Sequence, residues 1–242
     1  MNLVIDQGNT KAKLALFEGD DLLASTEVAE LTREGVRAFV EGREVGHCIL
    51  SSVKLLPLEI TEFLRREFKR FFELGVNIIL PIQVAYRTPT TLGVDRIAAA
   101  AGAYAEAKGK GAVVVDAGTA ITLDYLSPEG VFEGGNIAPG LSLRFRSLHE
   151  FTDRLPLVSP EGDLPTVGYS TETAIRAGVV GGVCAEIEGF VAAIRATHPA
   201  VLIFLTGGDA DFLADKLKCS IFADKNLVLK GLNRILNCNV EQ

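Results

Sequence analysis

The chain has 242 residues, 48% of them hydrophobic and 23% charged, which is ample for one large domain or two small ones of an ordinary globular kind. Its formal net charge of −7 argues against a nucleic-acid partner, which would want a basic face, while leaving room for a local anion site. Cys48, Cys184, Cys219 and Cys238 have neither C-x-x-C nor zinc-ligand spacing, no signal peptide is visible, and no uninterrupted apolar run reaches the ~18 residues of a membrane span. The expectation is a soluble cytoplasmic protein with reduced thiols and no membrane partner.

Leu3-Val4-Ile5 reads as a buried strand that ends in Asp6-Gln7-Gly8-Asn9, and Thr10 to Phe17 as a second strand with one buried face. Together they predict a hairpin whose turn carries a carboxylate. A glycine two residues after the Asp lets the backbone approach a ligand closely, with turn N–H groups aimed at phosphate oxygens. One such turn is ordinary hairpin chemistry, since Asp and Gly are common turn residues. Leu22 to Val28 follows as a third strand, Leu31, Val36, Phe39 and Val40 recur at helical spacing, and Cys48 to Val53 is a short apolar strand. Ile60, Phe63, Leu64, Phe68 and Phe71 mark one face of an amphipathic helix. Arg65, Arg66, Lys69 and Arg70 line its other face, read as solvated in preference to an anion site. Val76 to Leu80 predicts a further strand, and Val84 to Thr91 a loop carrying Tyr86.

Gly93-Val94-Asp95-Arg96 opens an Ala-rich helix that runs to Ala107. Two readings stand side by side here. Asp95 is a first-turn residue complementing the helix dipole, or Asp95 and Arg96 present a base and an anion-binding fork. Tyr86 is likewise either a loop aromatic over the core or part of that site. Lys108-Gly-Lys-Gly111 punctuates the chain and places a boundary there, giving domains 1–110 and 111–242.

The second half begins as the first did. Val113-Val114-Val115-Asp116-Ala117-Gly118-Thr119 repeats the strand and Asp-x-Gly turn, Thr119 to Tyr125 returns, and Val131 to Ala138 supplies a third strand. Two equivalent turns in two halves are a sharper signal than one: facing across a cleft, they would bracket a nucleotide–metal complex. Gly134-Gly135 and Pro139-Gly140 are punctuation or a backbone lining for the cleft. A helix is expected from Leu141 to about Glu150, then a Pro-rich loop from Leu155 to Pro165. Ser170-Thr171-Glu172-Thr173 starts a long helix through Ile194, with Thr171 a cap or a ligand contact. Its small residues Ala177, Gly178, Gly181 and Gly182 suit close packing, including against a second subunit. Val201 to Leu205 is a buried strand leading into Thr206-Gly207-Gly208-Asp209, a turn where a nucleotide can rest on backbone N–H groups or where Asp209 caps a helix. Asn226 to Asn237 is a terminal helix. His47, His149 and His198 lack zinc-ligand neighbours, and neither a Walker nor a Rossmann glycine motif is present.

Taken in order, Asp6-x-Gly-Asn-Thr-x-x-Lys13, Gly93-x-Asp-Arg96, Asp116-x-Gly-Thr-Ala-x-Thr-x-Asp124, Gly134-Gly-x-Ile-x-Pro-Gly140 and Thr206-Gly-Gly208 resemble the type III pantothenate kinases of the sugar kinase–Hsp70–actin superfamily. Each motif is weak alone; the ordered set, spanning essentially the whole chain, is specific. The resemblance implies an α/β fold of two duplicated RNase H-like (actin-like ATPase) domains. Each would carry a mixed β-sheet flanked by helices, with a nucleotide cleft between them. It implies ATP-dependent phosphorylation of pantothenate to 4′-phosphopantothenate, the first step of coenzyme A biosynthesis.

By the same resemblance, Asp6, Gln7, Gly8, Asn9, Thr10, Lys11, Ala12 and Lys13 form the ATP phosphate loop, with Asp6 near Mg²⁺, and Thr119 contacts ATP. Asp95 is the general base. Tyr86, Gly93, Val94, Asp95 and Arg96 form the pantothenate pocket, where Arg96 grips the carboxylate. Asp116 is the ligand of a monovalent cation, K⁺ or NH₄⁺. Thr171 reaches pantothenate from the partner subunit of a homodimer, with Thr173 close enough to compete for that role. The rivals are another small-molecule kinase or phosphohydrolase of the superfamily, and a regulatory relative without turnover.

Overall fold

The structure, a computed structural model, describes residues 1–75 and 78–240. The elements in chain order are β1 (Asn2–Gln7), β2 (Ala12–Glu18), β3 (Asp21–Val28), α1 (Arg33–Val40), β4 (His47–Ser52), α2 (Leu58–Glu67), β5 (Arg70–Glu73), β6 (Gln83–Val84) and α3 (Val94–Ala107). There follow β7 (Ala112–Ala117), β8 (Ala120–Leu126), β9 (Val131–Pro139), α4 (Leu141–Glu150), α5 (Thr171–Arg176), α6 (Gly182–Thr197), β10 (Leu202–Thr206), α7 (Ala210–Ala214), β11 (Phe222–Ala223) and α8 (Leu227–Val240). They gather into two compact units: residues 1–109 with 129–133 and 226–242, and residues 110–128 with 134–225.

In the first unit the strands lie in the order β3-β2-β1-β4-β5. β1 and β2 form the antiparallel hairpin, with Asp6 opposite Lys13, and β4 lies parallel to β1, with Ser51 beside Asp6. Strand alternation then sorts the two faces. Leu3, Ile5, Cys48 and Leu50 bury against Val36 of α1 and Ile60, Phe63 and Leu64 of α2. Asn2, Val4, Asp6 and Ser51 turn to the opposite face, where Asn2 hydrogen-bonds Asn233 and Asn237 of α8. The helices on that side are α3 and α8, which cross with almost no side chain between them. A Cβ added at Gly231 would stand 1.8 Å from the Ala98 carbonyl oxygen, and one at Gly102 would stand 2.4 Å from that of Leu227.

The second unit repeats the plan. Its strands run β11-β10-β7-β8-β9, with β7 and β8 antiparallel and β10 parallel to β7. Val113, Val115 and Ala117 face a core built with Ile175, Val179, Val183 and Ile187. Both units thus follow one recipe: three antiparallel strands, helical chain, a strand parallel to the first, a helix and an edge strand.

Several local expectations need correction. The helix expected to reach Phe71 stops at Glu67, because Phe68 is extended (φ −106°, ψ 144°) and Arg70–Glu73 pairs with His47–Leu50. Phe71 therefore packs on the first core from a strand, where aromatic residues suit the pleated surface, and Lys69 and Arg70 leave the basic helix face. Of the strand expected at Val76–Leu80, Val76 and Asn77 lie outside the described residues, and Ile78–Leu80 is not a strand.

The chain from Thr171 to Thr197 is helical throughout, with a π turn at Ala177–Gly181. It is long and apolar enough to cross a membrane by length and composition (mean hydropathy 1.6), which its scattered Glu and Arg residues hide from a search for uninterrupted apolar runs. Ile175, Val179, Val183, Ile187 and Val191 are buried on one side. On the other, Ala174, Gly178, Gly181, Ala185, Gly189, Ala192 and Ala196 are all exposed, a stripe of small residues at spacings of three and four.

Candidate active site

The first hairpin turn is held by its own backbone and one buried side chain. Gly8 N–H donates to the Lys11 carbonyl (3.0 Å), and Gln7, 1% exposed, donates its side-chain amide to the Gly8 carbonyl at 2.8 Å. Asn9, Thr10 and Lys11 are left exposed at the tip, and Lys11 and Lys13 both pair with Glu27 of β3.

α3 brings the second carboxylate to the same unit. Gly93 is the N-cap residue, and a Cβ there would stand 2.5 Å from Asp95 Oδ1, so glycine is what permits the Asp95 side chain its position. Oδ1 accepts from the Arg96 N–H at 2.9 Å, anchoring the carboxylate at the positive end of the helix with Oδ2 remaining to accept a proton. Burial pushes the Asp6 carboxyl up to about 6; the Asp95 charge adds to the rise, while Lys13 across the hairpin and the neighbouring Ser51 hydroxyl oppose it. Two carboxylates that repel each other in this way are a setting for a cation.

Arg96 is 5% exposed, and its guanidinium lies 5.6 Å from the ring centres of both Tyr86 and Phe132, which meet edge to face at 6.2 Å. A guanidinium between two rings is fixed in orientation, the requirement for gripping a carboxylate. The sequence singled out Arg96 and Tyr86 but missed Phe132, whose place follows from the pairing of β6 with the start of β9.

In the second unit, Asp116 ends β7 in register with Thr206 of β10. Gly207, at φ +97°, crosses so close that a Cβ would meet Asp116 Oδ1 at 2.5 Å and the Ala117 carbonyl at 2.4 Å. Asp209 N–H donates to that carbonyl (2.9 Å); its side chain is raised in pKa by burial and makes no capping bond among the described residues. Thr119 is exposed, its carbonyl held by Gly140 N–H at 3.0 Å. Ser170, not Thr171, caps α5: its hydroxyl accepts from Thr173 N–H, and Thr173 Oγ1 accepts from Ser170 N–H at 2.9 Å. Thr173 is buried in this capping box, and Thr171 is exposed. Asp6, Lys13 and Asp95 thus come together in the first unit beside the Tyr86–Arg96 pair, whereas Asp116, Thr119 and Thr171 belong to the second. Among the described residues, no group of three or more His, Cys, Asp or Glu gathers as a metal cage.

The duplicated strand order is that of the actin-like ATPases and sugar kinases. A solved structure described as a 2-dehydro-3-deoxygalactonokinase from Sinorhizobium meliloti is similar over 99% of both chains, at 13% identity and TM-score 0.58. A second, described as a Baf family transcriptional activator from Campylobacter jejuni, is similar at TM-score 0.67 and 26% identity, over 99% of this chain and 100% of its own. These likenesses define the class of fold, that of the actin-like ATPases and sugar kinases. Residues 2–193 match the type III pantothenate kinase family model, and a relative from Bacteroides fragilis of that name is 44% identical over 99% of this chain and 98% of its own length. The chain belongs to the type III pantothenate kinase family.

Proposed function

We propose that this chain transfers the γ-phosphoryl group of ATP to the primary hydroxyl of pantothenate, forming 4′-phosphopantothenate and opening coenzyme A biosynthesis. The observation that carries the reading is Asp95, anchored through Oδ1 by the Arg96 N–H on a rigid helix start in the same unit as the Asp6 turn. Phosphoryl transfer needs little covalent work from a protein; alignment and charge neutralisation dominate. Asp95 accepts the hydroxyl proton as general base, and Arg96, held by Tyr86 and Phe132, receives the pantothenate carboxylate, with Gly93 and Val94 framing the pocket. The backbone of Asp6 to Lys13 holds the phosphates of ATP, and Thr119 makes a further nucleotide contact.

Asp6 fits Mg²⁺, which takes one or two carboxylates and completes its shell with phosphate oxygens and water, so no larger protein cage is required. Bound there, the ion supplies neutralisation of phosphate charge. Asp116 fits a monovalent cation, K⁺ or NH₄⁺, with the Ala117 carbonyl as an oxygen neighbour. The halves 1–110 and 111–242 are the duplicated RNase H-like domains, a reading supported by their repeated strand order. The exposed stripe from Ala174 to Ala196 supports a homodimer, because small residues let helix backbones approach. Thr171, free of the capping box that occupies Thr173, is the side chain offered to the partner's pantothenate pocket. The setting is cytoplasmic, and neither nucleic acid nor membrane is a partner.

The test is ADP release from purified protein with Mg·ATP, with and without pantothenate, in K⁺ and in Na⁺ buffer. Pantothenate-dependent release that needs K⁺ supports reaction, substrate and cation site together. Release in both buffers removes the cation role of Asp116. Release without pantothenate favours a phosphohydrolase, and no release favours a regulatory relative.

A further inference from the structure

Ser51 is fully buried, and its hydroxyl completes no well-formed hydrogen bond among the described residues, although it stands near enough to the Asp6 carboxyl to oppose the rise in that group's pKa. Buried hydroxyls are nearly always bonded, and leaving one unpaired costs stability, so an orphan in a well-packed sheet calls for a reason. Ser51 stands in register with Asp6 on the adjacent parallel strand, and side chains paired in this way project from the same face of the sheet. The neighbouring residues on that face of β4 and β1 are apolar, Ile49 and Val4, both fully buried. The one carboxylate the sheet registration sets beside this hydroxyl is therefore that of Asp6.

We propose that Ser51 is a positioning residue for the metal-binding carboxylate: its Oγ–H donates to Asp6 when the cation is bound, fixing the carboxylate so that one oxygen points at the ion. This rests on the reading of Asp6 as the Mg²⁺ ligand. A carboxylate that both ligates an ion and accepts a hydrogen bond is held in one orientation, and loss of such a supporting donor costs about 10- to 100-fold in metal affinity. Neither Asp-x-Gly nor any other motif in the chain points to Ser51, since only the β1–β4 pairing places it.

The test measures Mn²⁺ affinity in the presence of ADP, by the free-Mn²⁺ electron paramagnetic resonance signal, for the parent, Ser51→Ala, Ser51→Cys, Ser51→Thr and Asp6→Asn. Ser51→Ala and the near-isosteric Ser51→Cys are expected to bind Mn²⁺ about tenfold more weakly with an unchanged KM for pantothenate, while Ser51→Thr retains most of the affinity. The melting temperature of cation-free Ser51→Ala is expected to equal or exceed that of the parent, which a merely structural serine would not allow. Parental Mn²⁺ affinity in both Ser51→Ala and Ser51→Cys, with affinity lost in Asp6→Asn, overturns the role of Ser51 alone. Parental affinity in Asp6→Asn as well overturns the Asp6 reading, and the Ser51 proposal with it.

Discussion

At the scale of single residues, the site is a contest between burial and charge. Asp95 is a helix-start aspartate whose carboxylate is also the proposed general base, and the two roles separate on substitution. Asp95→Asn keeps the hydrogen bond to Arg96 N–H but loses the proton acceptor, so kcat is expected to fall about 10²- to 10⁴-fold with nucleotide binding intact. Steady-state turnover beside titration with a non-hydrolysable ATP analogue checks this. Arg96→Lys replaces a fork by a point charge and loses its stacking on Tyr86 and Phe132. The KM for pantothenate is expected to rise about tenfold or more, the effect of one charge-assisted bond.

Asp6 gives a pH signature. The folded protein holds its proton at about 6, against 3.8 for an unperturbed aspartate, mainly through burial and then the Asp95 charge. Its contribution to stability is thus fully present below pH 3.8 and is lost as pH rises through 6, reaching about 3 kcal/mol at neutral pH. In protein freed of divalent cations, Asp6→Asn should therefore be more stable than the parent at pH 7.5, by a margin that shrinks toward pH 4. Paired urea titrations across that range measure it, and a margin independent of pH would refute the assignment.

At the scale of elements, α3 and α8 stand out because their contact is made by backbone. Gly231 leaves 1.8 Å between an added Cβ and the Ala98 carbonyl oxygen, which no rotamer change relieves. Gly231→Ala is expected to force the helices apart and lower unfolding free energy by about 3 kcal/mol, read from the urea midpoint. Since α3 also carries Asp95 and Arg96, turnover should fall with it. That α8 closes the first unit, although it ends the chain, could not be read from its amphipathic pattern, which says that one face is buried but not against what. Likewise the hairpins, Asp6 and Asp116 were legible because strand alternation and Asp-x-Gly are local. The end of α2 was not: Phe68 and Phe71 fit a helical face, but Phe68 turns extended after the helix and the open edge of β4 draws Phe71 into β5.

At the scale of the whole molecule, the long helix Thr171–Thr197 carries a buried apolar ridge and an exposed stripe of Ala and Gly. The proposed homodimer makes a direct prediction. Ala185→Arg, on the exposed stripe, should convert a dimer to a monomer in sedimentation velocity, and raise the KM for pantothenate if Thr171 serves the partner's pocket. A parent that sediments as a monomer would remove the dimer and the Thr171 role together.

The sequence by itself determined the class of fold and the two hairpins, and it supplied most of the residues proposed for the site, because each is written in short-range periodicity and in motifs of a few residues. The family resemblance those motifs carried agrees with the comparisons over the full chain. Tertiary structure alone decided which side chains share a face: Ser51 beside Asp6, Phe132 behind Arg96, Gly207 against Asp116. The physical reason is that strand register and helix crossing are set by non-local pairing, and one residue of slip would send every one of these side chains to the opposite face.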